Sequence, residues 1–108
     1  MSVQNPQVQD KFFALGEPVR LNIVQRLAEG PKTAGELAEP FSISRPAISR
    51  HLRVLREAGI ASAEVRGRQW WYSIEAGTLR DTQQWLEDLQ AMTAEALLSF
   101  KKYVEEQE

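Results

Sequence analysis

The sequence predicts a mainly α-helical fold with one small antiparallel β-hairpin. Three observations carry this. Apolar residues recur at three- and four-residue steps up to residue 58. The run IASAEVRGRQWWYSI holds two β-rich segments around a glycine. Residues 78–104 then form a long periodic stretch that no Gly or Pro interrupts.

Residues 7–15 predict a short opening helix with Val8, Phe12 and Leu15 on one face. Pro18 suits a helix first turn. Val19, Ile23, Val24 and Leu27 follow at helical spacing until Gly30 stops them. Thr33-Ala34-Gly35-Glu36 is a capping-box pattern, in which hydroxyl and carboxylate satisfy open backbone N–H groups reciprocally. A short helix through Leu37 and Ala38 should end near Pro40. Ser44 offers a second N-cap, Pro46 sits in the first turn where its missing N–H costs nothing, and Gly59 follows Ala58 as a stop. Ile48, Leu52 and Leu55 form the apolar stripe of that helix.

Ile60–Arg66 and Gln69–Ile74 read as strands, with Arg66-Gly67-Arg68 as the turn. Trp70 and Tyr72 should share one face and Trp71 the other, and these aromatics are expected to pack the hairpin on the core rather than stack on bases. On residues 78–104, Leu79, Leu86, Leu89, Ala96, Phe100 and Tyr103 make a stripe with Thr82 and Thr93 as polar members, widened by Trp85, Met92 and Leu97. This helix exceeds what so small a domain covers alone. With Phe12 of the opening helix, its stripe is expected to form a homodimer.

The 108 residues fit one domain, 1–108, with one core. No apolar run approaches the roughly 18 residues needed to span a bilayer, so no membrane partner is expected. MSVQNPQVQDKF has neither a basic n-region nor an apolar h-region, which makes the cytoplasm the expected location. With no cysteine and a single histidine, neither a thiolate metal site nor a Ser/His/Asp or Cys/His catalytic set is expected. No glycine loop cradles a phosphate. An enzyme is not expected, nor a cofactor, nor a metal.

Net charge is −2, but it is unevenly spread. Residues 45–68 carry six arginines against two glutamates, while residues 69–108 carry three bases against eight acids. The basic charge therefore lies in one window, suited to an anionic partner. Two short helices with a tight turn (33–58), followed by a hairpin (60–74), are the parts of a winged helix-turn-helix, whose second helix enters the DNA major groove. At about 100° per residue, Ser49, Arg50 and Arg53 lie opposite the Ile48 stripe. Arg45 and His51 sit at its margin, better placed to position the helix on phosphate than to read bases. Arg66 and Arg68 at the hairpin tip can reach a phosphate or the minor groove. Double-stranded DNA is the expected partner.

ALGEPVRLNIVQRLAEG, TAGELAEPFSISRPAISRHLRVLREAGI and VRGRQWWYSI resemble the ArsR/SmtB family of bacterial winged helix-turn-helix repressors over roughly residues 10–75. The resemblance implies a homodimer that binds a palindromic operator and represses transcription. It makes Thr33–Phe41 the first motif helix and Ser44–Ala58 the recognition helix. Family-type DNA contacts fall on Arg45, Ser49, Arg50, His51 and Arg53, with Arg68 in the wing. Many members sense metals through cysteines on the first motif helix, or through Asp and His on the C-terminal helix. Here there is no cysteine, and the long helix has carboxylates without imidazole, a poor donor set for zinc, nickel or cobalt. A metal-independent repressor is the expectation. A small-molecule effector, with a pocket near Trp70, Trp71 and Trp85 as one option, stays open. The competing reading is a protein-interaction module whose long helix docks a partner protein.

Overall fold

The computed structural model describes residues 6–107. The first five residues and the last of the expected 1–108 domain lie outside them. The elements run α1 (Pro6–Leu15), α2 (Pro18–Leu27), β1 (Lys32–Thr33), α3 (Ala34–Ala38), α4 (Arg45–Glu57), β2 (Ala61–Arg66), β3 (Gln69–Ile74) and α5 (Arg80–Glu106). Every helix expected from the periodicity is present, and α5 starts and ends two residues later than expected.

The sheet is larger than the hairpin expected. β1 pairs antiparallel with β3, Lys32 opposite Tyr72 and Thr33 opposite Trp71, so the order is β1-β3-β2. Two residues are too few to show an alternating pattern, and this strand exists only because β3 supplies its partner. Its second residue, Thr33, is also the N-cap of α3. The Thr33 hydroxyl accepts from Glu36 N–H at 3.2 Å, and the Glu36 carboxylate accepts from Thr33 N–H at 3.1 Å. The Thr33 backbone N–H, and after it the Thr33 hydroxyl, hold the Glu36 carboxyl below the ordinary carboxylate range.

The other helix ends follow local chemistry too. Glu17 caps α2 through Arg20 N–H at 2.8 Å, ahead of Pro18. α4 closes in a Schellman motif: Gly59 takes φ +79°, its N–H reaches Arg56 O, and Ile60 N–H reaches Leu55 O, both at 3.0 Å. That turn delivers Ile60 directly into the core.

The core comprises Ala14, Ile23, Val24, Leu27, Leu37, Ile48, Leu52, Leu55, Ile60, Ala61 and Tyr72. It lies beneath α2, α3, α4 and the base of the sheet. Among the described residues, the contacts that hold α5 lie at its N-terminal end. Lys11 donates to the Asp81 carboxylate and to Thr78 O, the Phe12 and Trp85 rings meet edge-on at 5.3 Å, and Thr78 Oγ1 donates to Gly59 O at 2.6 Å. From residue 89 onward every described residue of α5 is exposed.

On α1, Ala14 also enters the core, and Phe12 faces Trp85 of α5. Two expectations need correction. Leu79, expected on the free stripe of α5, precedes the helix and packs on the chain's own core. Of the wing aromatics only Tyr72 joins the core; Trp71 is half-buried and Trp70 is 49% exposed.

The capping box gives a test. Thr33→Ala should lower stability by about 1 kcal/mol in urea unfolding. Because the Glu36 carboxyl is lowered in the folded chain, its contribution is present above the unfolded carboxylate range and lost as pH falls through the folded value. Glu36→Gln keeps an acceptor for Thr33 N–H but has no charge to titrate, so its unfolding midpoint should fall less on acidification than that of the parent chain.

Candidate nucleic-acid interface

α4 is built to show one face and bury the other. Ser44 caps it by accepting from Ala47 N–H at 3.3 Å. Ile48, Leu52 and Leu55 are buried. Ser49, Arg50 and Arg53 are exposed on the opposite side, as their spacing requires. Arg45, expected nearer the core margin, is exposed as well.

The wing comes back beside it. Arg66 pairs with Gln69 in register, which leaves a two-residue loop, Gly67–Arg68. Gly67 takes φ +66° and Arg68 a negative φ, the sign pattern of a type II′ turn. Arg66 donates to the Glu64 carboxylate, so its charge is largely answered on its own strand. Arg68 has no such partner. Among the described residues Arg45, Arg50, Arg53 and Arg68 form no ion pair. Arg45 and Arg68 line one open cleft of about 280 Å³ together with Gly35, Gln69 and Trp70. α4 and the wing thus bring two guanidinium groups without ion-pair partners to one cleft, and guanidinium N–H groups have the geometry to donate to phosphate oxygens.

Two residues that the spacing does not single out complete the site. Arg56, at the far end of α4, lies over the Trp70 ring at 5.9 Å and ties wing to helix. Trp85 packs on Phe12, so Trp70 and Trp85 do not share a cavity. The second residue is Arg20 of α2, buried to 7% exposure. Its Nε donates to Ala14 O at 2.7 Å, one Nη to Phe13 O at 3.1 Å, and the other lies 3.1 Å from His51 Nδ1. The sequence carried the signal: Arg20 precedes Ile23, Val24 and Leu27 at three, four and seven residues, so a cation occupies the apolar stripe. His51 is therefore held from beneath and is less exposed than its arginine neighbours. No group of three or more His, Cys, Asp or Glu among the described residues could hold a metal ion.

Comparison with known proteins bears on family and fold. Residues 17–63 match the family described as "Bacterial regulatory protein, arsR family". The chain is 39% identical over 75 residues to the transcriptional repressor SdpR of Bacillus subtilis, covering 69% of this chain and 83% of that protein. It is 34% identical over 94 residues to a protein of Streptomyces lividans named "Probable mercury resistance operon repressor", covering 86% and 75%. The fold matches that of an ArsR-like transcriptional regulator from Rhodococcus sp. RHA1, with a TM-score of 0.76, 28% identity and coverage of 90% and 92%.

The wing turn can be probed directly. A Cβ at Gly67 meets nothing within 4 Å, so its cost is conformational. Gly67→Val should destabilise by about 1–2 kcal/mol. Gly67→Asn should cost less, because Asn tolerates positive φ. Urea unfolding of both variants checks the order.

Proposed function

Because the chain belongs to the arsR family of bacterial regulatory proteins, we propose that it represses transcription as a metal-independent homodimer bound to a palindromic operator. Its family and relatives are DNA-binding transcriptional regulators rather than enzymes, and the reading as a protein-interaction module is not favoured. The observation that carries the proposal is the set of four unpaired arginines, Arg45, Arg50, Arg53 and Arg68, spread over one helix and the wing. In this reading α4 lies in the major groove. Arg50, Arg53 and Ser49 reach base edges or flanking phosphates, and Arg45 with Arg68 grips the backbone beside the wing, with Arg66 a lesser contributor.

The partner-facing surface is α5. Leu86, Leu89, Met92, Leu97, Phe100, Tyr103 and Val104 are all exposed large apolar residues on one side of the helix, with Phe100 at 66%. Ala96 lies among them. A bare apolar face of this extent favours burial against a second copy. Phe12 supports it from beneath, through Trp85. Two-fold symmetry then places the recognition helices about 34–36 Å apart, one turn of DNA. The acidic C-terminal segment falls away from the phosphates.

Metal independence rests on the donor set. The S. lividans relative is named for mercury resistance, whereas this chain has no cysteine to supply a soft ligand. No helix among the described residues is long and apolar enough to cross a membrane. We place the protein in the cytoplasm with its DNA.

Selection of bound sequences from a random duplex pool, with metal-free protein, tests the proposal. The expected result is a palindrome with half-sites one helical turn apart. No retained sequence at low salt would overturn it. Four phosphate-neutralising arginines in each protomer predict a log K against log salt slope of about −7, falling in magnitude by about 2 when one of them is removed from both protomers. Arg50→Ala and Arg53→Ala should each weaken operator binding about 10- to 100-fold. Leu89→Lys with Phe100→Lys should give a monomer in sedimentation equilibrium and weaken operator binding about 100-fold, since the half-sites are no longer engaged together.

A further inference from the structure

We propose that Arg20 is a positioning residue for DNA reading: through its hydrogen bond to His51 it locks the rotation of α4 to the C-terminal end of α1. This rests on the repressor reading above. The guanidinium cannot shed its charge and has only donors to offer. Buried as it is, it must find an acceptor for each N–H direction. Two of them go to the Ala14 and Phe13 carbonyls in the last turn of α1, and its flat face lies 5.2 Å above the Phe13 ring. A third N–H direction meets His51 Nδ1. Arginine only donates, so this hydrogen bond is made with Nδ1 as the acceptor. Glu17 completes the frame: its carboxylate takes Arg20 N–H at 2.8 Å and stands 3.7 Å from the same His51 nitrogen.

His51 sits between Arg50 and Arg53 on one turn of α4. The Ile48, Leu52 and Leu55 packing holds the helix down but is poorly directional, whereas a hydrogen bond at 3.1 Å is directional. A rotation of about 20° would carry a group about 5–6 Å from the helix axis through about 2 Å. That exceeds what a bidentate base contact tolerates. Arg20 thus acts on specificity, through His51, without touching DNA. It passes the setting of α1, which packs against the proposed dimer helix α5, to the helix that reads the operator.

The test uses the full chain, the duplex selected from the random pool, and a random-sequence duplex of equal length. His51→Leu should lose about tenfold in operator affinity while staying within about twofold of the parent on the random duplex, with an unchanged salt slope. His51→Gln, which keeps an acceptor for Arg20, should stay within about threefold of the parent on both. Arg20→Lys keeps the charge but not the fork, and should match His51→Leu. The double variant should be no weaker than either single one. If Arg20→Lys fails to fold, the two His51 variants decide the matter. Equal loss on both duplexes with a shallower salt slope would make His51 a phosphate contact and overturn the proposal. So would an unaffected operator affinity in His51→Leu, or a Gln variant as weak as Leu. A parent chain that selects no sequence would instead sink the repressor reading itself.

Discussion

A guanidinium buried among three helices is the constraint around which the N-terminal half is arranged. Arg20 enters the apolar stripe of α2 at full charge, and the fold answers it with the open end of α1 and the middle of α4. Arg26, two turns along the same helix, does the equivalent service for α3, donating to Glu36 O and Leu37 O at 2.7 and 3.0 Å. α2 therefore terminates two neighbours with its side chains. This matters most for α3, whose five residues are far too few for an independent helix. It survives because a capping box closes one end and Arg26 closes the other.

Charge and packing are separated along the chain with little overlap. The core stripe of α4 is wholly apolar and its outer face is basic, so neither compromises the other. The acidic excess is carried by α5, away from the wing. The overall acidity of the chain is consequently no argument against an anionic partner: at physiological salt, charges beyond about 8 Å are screened, and the field near α4 and the wing is that of their own arginines. Only Arg66 departs from this, because Glu64 two residues earlier on the same strand reaches it.

Much of this was legible before any coordinates. The caps at Thr33, Ser44 and Gly59 are encoded in single side chains, so the helix boundaries there follow from local chemistry. The stripes of α2 and α4 follow from spacing. What escaped the sequence depends on partners distant in the chain. β1 has no pattern of its own until β3 lies beside it. Ala14 rather than Phe12 enters the core because the Phe12 ring is taken up by Trp85 of α5, far along the chain. Leu79 was drawn into the stripe by period alone, yet α5 begins after it. Trp70 shares a sheet face with Tyr72, as alternation requires, but lies beyond the edge of the core, where the Arg56 guanidinium covers its ring. The position of His51 beside the core was readable from the helical wheel, whereas its tether to Arg20 required knowing which side of α2 faces α4.

The two-residue strand β1 has an energetic consequence. Lys32 and Thr33 join β3 across the whole helix-turn-helix and the outer strand of the wing. Closing a loop of that length carries an entropic cost that so short a pairing cannot meet alone. The pairing therefore depends on the intervening chain, which must bring β3 alongside. Thr33 is at once the last residue of β1 and the cap of α3, so losing that pairing would loosen the wing's inner edge and the first motif helix together. Leu37 of α3 is fully buried, so the loosening would reach into the core itself.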